Sequence, residues 1–173
     1  MSACLAYGER MSLNSLRVTA AWVGLALVIA LADQGSKQLI GSLLAAGETR
    51  PVTGFFNLVL VFNVGAAFSL LADAPGWQRE LFAAIAVAAS VLIVVLLARH
   101  GADRLFCAGL ALILGGALGN LWDRIALGHV VDFLDFHALG YHWPAFNLAD
   151  SAITVGAALL ILDGFRTRKA PTP

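Results

Sequence analysis

Residues 105–125 read LFCAGLALILGGALGNLWDRI. From 105 to 119 every residue is apolar or glycine, and Asn120, Asp123 and Arg124 follow near the end. The stretch is about as long as a helix must be to cross the hydrocarbon core of a bilayer, which takes about 20 residues. It therefore predicts a membrane-spanning helix with polar side chains at one end.

The composition of the whole chain agrees with this prediction. Of its 173 residues, 60% are hydrophobic and only 13% are charged, whereas about a quarter of the residues of soluble domains are charged. The formal net charge is zero, so the chain lacks the basic footprint of a nucleic-acid-binding protein. We expect a single integral membrane domain over residues 1–173.

Three more apolar stretches are long enough to span a bilayer, at about 18–40, 81–98 and 148–165. The expected fold is an all-α membrane protein of four transmembrane helices with a small extracytoplasmic β-like segment. The first stretch could also be a cleaved signal peptide, since Arg10 and Arg17 precede it. We expect it to stay uncleaved, because it runs into Asp33 and Lys37 without a clear small-residue cleavage site. Whether Met1 or Met11 is the true start is open.

Charge asymmetry predicts the orientation of the four spans. Four spans place both termini on one side, and that side then holds most of the basic residues: Arg10, Arg17, Arg99, Arg104, Arg166, Arg168 and Lys169. An excess of Lys and Arg marks the cytoplasm. Eight acids fall at or beyond the opposite ends of the spans: Asp33, Glu48, Asp73, Glu80, Asp123, Asp132, Asp135 and Asp150. Chemistry that involves carboxylates is therefore expected at the outer face.

Two outer segments, at about 41–80 and 126–146, connect the spans on that face. Residues 51–62 are rich in β-branched and aromatic side chains and are interrupted by Gly and Pro, which favours a strand over a helix. Residues 130–136 predict a second strand-like excursion or hairpin resting on the membrane surface. Tyr141 and Trp143 are interpreted as aromatic residues at the membrane interface.

Polar residues within or at the edge of spans are costly and mark functional sites by default. Asp33 and Lys37 are spaced to pair on one helix face, either as an interfacial ion pair or as part of a site. Asn120 is expected to face the bundle interior, while Asp123 with Arg124 could be an interfacial anchor. Asn147 and Asp150 suit helix capping as well as a site. Asn63 fits either a turn or a backbone packed closely against a helix or substrate.

A cluster of carboxylates at one membrane level suggests a reaction in which one acid keeps its proton while the other activates water. The sequence contains neither a His-Glu-x-x-His zinc motif nor a Gly-x-Ser-x-Gly nucleophile turn. His129, His137 and His142 lack helical ligand spacing, so they are read as surface or turn histidines rather than as a metal site. Topology and the missing motifs alone do not select two of the eight outer acids.

Five sequence blocks, in this order, resemble the lipoprotein signal peptidase (signal peptidase II) family. They are Asp33-Gln34-Gly35-Ser36-Lys37, the block from Asn63 to Ser69, the block from Gly115 to Arg124, Val130-Val131-Asp132-Phe133, and the block from Phe146 to Ser151. The resemblance extends over residues 33–151, which is most of the chain.

The resemblance implies an aspartyl endopeptidase of the bacterial inner membrane, with both termini cytoplasmic and the active site at the periplasmic face. Its substrates would be prolipoproteins that already carry diacylglycerol, cut just before the lipidated cysteine, with membrane lipid as the other partner and no nucleic acid. The family's catalytic aspartates correspond to Asp132 and Asp150. Its supporting residues correspond to Asp33, Lys37, Asn63, Asn120, Asp123, Arg124 and Asn147. The resemblance also implies no metal or cofactor and inhibition by globomycin. We expect a monomer, although the sequence leaves the oligomeric state open.

A small transporter or proton-coupled channel is the alternative from another class, since intramembrane carboxylates are common in such proteins. That reading predicts acids near the bilayer midplane and often repeated halves. In this chain the acids gather at one interface and no repeat is found, which favours the peptidase.

Overall fold

The computed structural model describes residues 13–65 and 77–167. In chain order the elements are α1 (Leu13–Leu43), β1 (Thr49–Thr53), β2 (Phe56–Asn63), α2 (Gln78–His100), α3 (Arg104–Ala126), β3 (Val130–Ala138), β4 (Tyr141–His142) and α4 (Leu148–Thr167). Residues 66–69 of the second sequence block, both candidate start methionines and the tail from 168 onward lie outside the described residues.

Within the described ranges, four helices are long and apolar enough to cross a membrane. The expectation of four helices capable of spanning a membrane is therefore confirmed. Leu31, Val91 and Ile161, on three different helices, leave more than half of their side-chain surface exposed. Apolar surface of this extent is unfavourable in water and suits helices that face lipid.

The expected all-α class is wrong in one respect, because the connecting segments form a true sheet. Its strands follow the order β1-β2-β3-β4, and each neighbouring pair is antiparallel. The fold is thus mostly helical with a small antiparallel sheet. The pairing of β2 with β3 connects residues far apart in sequence and joins the two outer hairpins into one sheet.

Helix α3 lies at the centre of the bundle and packs against α1, α2 and α4. In the most apolar 18-residue stretch of α3, just over half of the residues are buried. In the corresponding stretches of the other three helices, the buried share is 17% or less. Glycines allow this close packing. A Cβ on Gly109 would come within 2.9 Å of the Gly156 carbonyl oxygen, and a Cβ on Gly156 within 2.6 Å of the Gly109 carbonyl oxygen.

The sheet sits at the end of the bundle where α1 and α3 end and α4 begins. A small apolar core holds it there, in which Ile40 of α1 and Leu44, which follows the helix, contact Leu60, Val131 and Phe133 of the strands. Strand β3 therefore starts directly beside the first turn of α4, and this junction contains the polar residues singled out by the sequence.

Candidate active site

Asp132 on β3 and Asp150 in the first turn of α4 line the same cavity, whose volume is about 790 Å³. Asn63, Asn120 and Arg124 line it as well. The cavity continues along α4 past Ile153 and Val155 and is bordered elsewhere by residues 61–64 and 143–146. Two carboxyl groups thus face one mostly apolar space large enough for a peptide segment or a small ligand.

Asp150 belongs to a reciprocal helix cap with Asn147. The Asp150 backbone N–H donates to Asn147 Oδ1 at 2.9 Å, and the Asn147 backbone N–H donates to Asp150 Oδ2 at 3.3 Å. This is the geometry of a capping box. The other carboxylate oxygen, Asp150 Oδ1, accepts a hydrogen bond from Asn120 Nδ2 at 2.8 Å. Asn147 and Asp150 therefore cap α4 and also belong to the candidate site, although the sequence analysis treated these two roles as alternatives.

Asp132 is almost completely buried, and each of its carboxyl oxygens accepts a hydrogen bond from an asparagine amide. Asn147 Nδ2 donates to Oδ1 at 2.7 Å, and Asn63 Nδ2 donates to Oδ2 at 3.0 Å. Burial raises the pKa of Asp132, and the nearby charge of Asp150 raises it further. The two amide bonds and the charge of Lys37 lower it only in part, so the pKa is about 7.

Lys37 is buried and makes three short polar contacts, one for each of its N–H groups. Its Nζ lies 2.7 Å from Asp33 Oδ2, 2.8 Å from Asp123 Oδ2 and 3.0 Å from Asn120 Oδ1. The expected pairing of Asp33 with Lys37 is confirmed. Because a lysine can only donate, Asn120 must turn its oxygen to Lys37 and its N–H₂ group to Asp150. The buried ions thus fix the orientation of an amide that holds Asp150.

Asp33 and Asp123 connect this ion cluster to the backbone around the two candidate aspartates. Asp33 Oδ1 accepts a hydrogen bond from the Ala149 N–H at 2.9 Å, and Asp123 Oδ2 accepts one from the Val131 N–H at 3.1 Å. Ala149 and Val131 immediately precede Asp150 and Asp132. The reading of Asp123 with Arg124 as an interfacial anchor is wrong, because Asp123 is 1% exposed and its partners face the bundle interior.

Arg124 lies at the cavity, as its sequence block predicts for a site residue. Its Nη1 donates to the Asn120 carbonyl oxygen at 3.3 Å and its Nη2 to the Gly65 carbonyl oxygen at 3.4 Å. The guanidinium also lies 5.3 Å from the ring centre of Phe82, within cation–π range. Its positive charge interacts with Asp150, Asp132 and Asp123, so it balances part of the negative charge of the site.

The sequence did not identify Gln34 as a site residue. Its Nε2 donates to Asp123 Oδ1 at 2.7 Å and to the Gly119 carbonyl oxygen at 3.1 Å. Its position beside Asp33, late in the first apolar stretch, was an available signal. Trp143, interpreted from the sequence as an interfacial aromatic, is half-exposed and also lines the cavity.

The histidines of the second outer segment lie along the sheet. His137 and His142 are cross-strand partners, and His129 packs on Phe62. In the described parts of the chain, no three side chains of the His, Cys, Asp and Glu types are grouped as metal ligands. His142 is exposed and the other two are half-buried, in line with the interpretation of these residues as surface or turn histidines.

Similarity to known proteins is high over most of the chain. The model of the family described as signal peptidase (SPase) II matches residues 25–166. A lipoprotein signal peptidase of Paraburkholderia phytofirmans is 60% identical over 147 residues, which cover 85% of this chain and 86% of that protein. One of Ralstonia nicotianae is 61% identical over 145 residues, which cover 84% of each chain. A solved bacterial membrane enzyme, 27% identical, superposes with a TM-score of 0.77 over 89% of this chain and 94% of its own.

Proposed function

The chain belongs to the signal peptidase II family, and on this basis we propose that it removes signal peptides from diacylglyceryl-modified prolipoproteins, cutting just before the lipidated cysteine. It is a membrane protease of the aspartyl type, with Asp132 and Asp150 as its catalytic pair. The observation that carries the proposal is the shared cavity, in which both carboxyl groups are bonded to Asn147. The Asn147 side-chain amide donates to Asp132, and its backbone N–H donates to Asp150.

The two aspartates divide the work according to their surroundings. Asp132, with a pKa of about 7, holds the proton and donates it to the scissile carbonyl oxygen. Asp150 is ionised and takes a proton from the attacking water, whose oxygen bonds to the carbonyl carbon. The resulting tetrahedral intermediate carries two hydroxyl groups. When it collapses, one hydroxyl returns its proton to Asp132 as the C=O bond reforms, the C–N bond breaks, and Asp150 gives its proton to the leaving nitrogen. This is general acid–base catalysis by a carboxyl pair kept in opposite protonation states.

The remaining site residues hold this pair and the substrate. Asn120 and Asn147 orient the aspartates, and Lys37, Asp33 and Asp123 keep those amides in place. Arg124 and Asn63 lie where the cavity meets the end of β2, so they are suited to contact the substrate backbone. The apolar part of the cavity along α4 suits the residues and acyl chains of a lipidated substrate.

We further propose that the protein resides in the bacterial inner membrane as a monomer, surrounded by membrane lipid. Both termini are cytoplasmic and the site faces the periplasm. The distribution of Lys and Arg supports this orientation. The arrangement also suits the substrate, whose modified cysteine lies at the outer surface of the bilayer.

Cleavage of one diacylglyceryl prolipoprotein by the purified protein, with and without globomycin, tests the proposal. The wild type is expected to release the signal peptide and leave the lipidated cysteine at the new N-terminus, as read by mass spectrometry, and globomycin is expected to block the reaction. The Asp150→Asn variant keeps the shape of the cap and should be inactive while still inserting into membranes. Robust turnover by Asp150→Asn, or no turnover by the wild type, would overturn the proposal.

A further inference from the structure

A second group of titratable side chains lies on the sheet, outside the proposed catalytic site. Asp135 is nearly buried, and both of its carboxylate oxygens lie 2.9 Å from His142 Nδ1. Asp135 Oδ2 also accepts a hydrogen bond from Asn57 Nδ2 at 2.7 Å. The ring of His137 stacks on that of His142 with centroids 4.9 Å apart. Through side-chain contacts, the group connects β2, β3 and β4 in addition to their backbone pairing.

The strand that this group holds is short. β4 consists of Tyr141 and His142 only, and it follows a two-residue turn in which Leu139 and Gly140 have φ values of 51° and 83°. Positive φ at both central positions is typical of the turns that close β-hairpins. For Leu139 this backbone conformation is unfavourable, because its Cβ is crowded there. A two-residue strand after such a turn is stabilised only weakly by its backbone hydrogen bonds. The contact of His142 with Asp135 therefore contributes a substantial share of the stability of the β3–β4 pairing.

Residues 143–146, which we term the wall segment, directly follow His142 and form one side of the catalytic cavity. The Trp143 N–H donates to the Phe136 carbonyl oxygen at 2.8 Å. Phe146 is bridged to Leu134 in both directions, at 2.8 and 3.1 Å. The wall segment is thus fixed by backbone bonds at each end, and His142 is the side chain that secures its first end to β3.

From this geometry we propose that Asp135 and His142 are positioning residues, which clamp the wall segment against β3 and so set the affinity of the cavity for its substrate. The inference rests on the proposed function, since it assumes that this cavity receives the prolipoprotein. Neither residue touches the cavity itself, so their action is indirect. Loss of the clamp should loosen the wall segment and weaken binding, while the chemistry at Asp132 and Asp150 continues.

The charge state of His142 makes the clamp sensitive to pH. The titratable side chains in contact with His142 in the described residues are Asp135 and His137, both on β3, and β2 contributes the neutral amide of Asn57. Burial tends to raise the pKa of Asp135, but the bonds from Asn57 and His142 and the charges of both histidines outweigh it, so that this pKa lies below its usual value. Asp135 therefore stays ionised, and protonation of His142 converts a hydrogen bond into an ion pair.

The test compares KM and kcat of the full-length protein with Asp135→Asn and His142→Gln, using a diacylglyceryl prolipoprotein peptide. At mildly acidic pH, each variant is expected to raise KM by roughly three- to tenfold, the effect of losing one or two hydrogen bonds, with kcat within about twofold. The double variant should add little to either single change, because both remove the same contact. His142 is more than half exposed, so its replacement leaves the fold intact.

The pH profile separates positioning from a merely structural role. From about pH 5 to 8, the range in which histidines change charge, KM of the wild type should rise, while KM of His142→Gln stays flat. Hydrogen exchange in peptides covering 139–146 should be faster in both variants. Glu48→Gln breaks a surface ion pair with Arg50 on the opposite edge of the sheet and serves as the control with unchanged KM.

The outcomes distinguish the two proposals. An active wild type whose KM is unaffected by both variants overturns the clamp and leaves the proposed function standing. A wild type that cleaves no prolipoprotein overturns the proposed function, and the clamp falls with it. A KM shift without faster exchange at 139–146 also contradicts the clamp, since the effect would then not pass through the wall segment.

Discussion

Asp132 and Asp135 lie three residues apart on β3, yet their carboxyl groups are in opposite chemical settings. Asp132 points into the cavity, receives neutral amide donors from Asn147 and Asn63, and has a pKa of about 7. Asp135 receives Asn57 and His142, and its pKa lies below the usual value. Both are nearly buried, so burial alone does not distinguish them.

The difference follows from strand geometry and from the partners on each face. Residues an odd number of positions apart on a strand point to opposite faces, so one aspartate faces the start of α4 and the other does not. On the first face Asp132 accepts a hydrogen bond from the Asn147 side chain, whose backbone N–H donates to Asp150. The nearby negative charge of Asp150 favours a retained proton on Asp132. On the second face a histidine that can carry charge favours ionisation. A general acid must hold a proton near neutral pH, and only Asp132 is suited to do so.

The largest expected effect separates the two aspartates directly. Asp132→Asn removes the proposed acid and should lower kcat by about 10³-fold or more, the scale seen when a catalytic group is lost. Asp135→Asn, an identical change three residues away, should keep kcat within about twofold. Single-turnover cleavage of a diacylglyceryl prolipoprotein measures both.

Equal loss of kcat in the two variants would contradict the division of roles on β3. Circular dichroism and the elution volume in detergent serve as controls, because each substitution replaces a carboxylate by an amide of nearly the same shape. The expected result is that both variants remain folded and that only Asp132→Asn is inactive.

The next largest effect concerns stability. Lys37→Met should destabilise the fold by about 3–5 kcal/mol, because Asp33 and Asp123 are left as buried charges without a cation. Arg50→Met removes the cation of the exposed Glu48 pair and should cost at most about 1 kcal/mol. Thermal unfolding in detergent compares the two. If Lys37→Met is no less stable than Arg50→Met, the buried ions do not support the site.

A smaller effect is expected where α3 approaches α1. A Cβ on Gly119 would lie 2.6 Å from Asp33 Oδ2, so Gly119→Ala should displace the carboxylate that contacts Lys37. The expected cost is about 1–3 kcal/mol, as for other overpacked positions. A Cβ on Gly24 meets nothing within 4 Å, so Gly24→Ala is the matched control and should not destabilise. An equally mild effect of both changes would contradict the tight approach at Gly119.

Much of the fold could be predicted from the sequence, because long apolar stretches have few alternatives to membrane helices. Residues 105–125 correspond closely to α3, and residues 51–62 and 130–136 fall on strands. The pairing of those strands into one sheet was not predicted. It depends on α1 and α3 ending at the same level, a property of packing rather than of either local pattern.

Most residues that line or support the candidate site could be predicted from the sequence, but the contacts between them could not. Spacing alone predicts that Asp33 lies beside Lys37 and Asn147 beside Asp150, since residues three or four apart share a helix face. The contacts of Lys37 with Asp123 and Asn120 join α1 to α3 over more than 80 positions, and no local pattern encodes them. For the same reason spacing and topology could not separate Asp132 from Asp135, whose partners come from β2, β4 and α4. Only the resemblance to the family distinguished them.

The smallest expected effect tests how the hydrogen bond from Asn63 influences the pKa of Asp132. β2 carries two asparagines, Asn63 bonded to Asp132 and Asn57 bonded to Asp135. The Asn63 bond lowers the pKa of Asp132, so Asn63→Ala should raise it. Activity that needs protonated Asp132 declines as pH rises through about 7, and in Asn63→Ala this decline should move to higher pH by up to about one unit, the equivalent of one hydrogen bond.

Asn57→Ala removes the corresponding donor from Asp135 and should leave the midpoint of the decline unchanged. The measurement is the pH dependence of kcat/KM in a His142→Gln background, where KM is expected not to vary with pH. Because kcat/KM reports groups of the free enzyme, weaker substrate binding by Asn63→Ala lowers the whole curve without moving its midpoint. A midpoint that shifts to lower pH in Asn63→Ala would mean that the decline follows another group. A shift in Asn57→Ala would mean that the two faces of β3 are electrostatically coupled, and the opposite settings of its two aspartates would then not be independent.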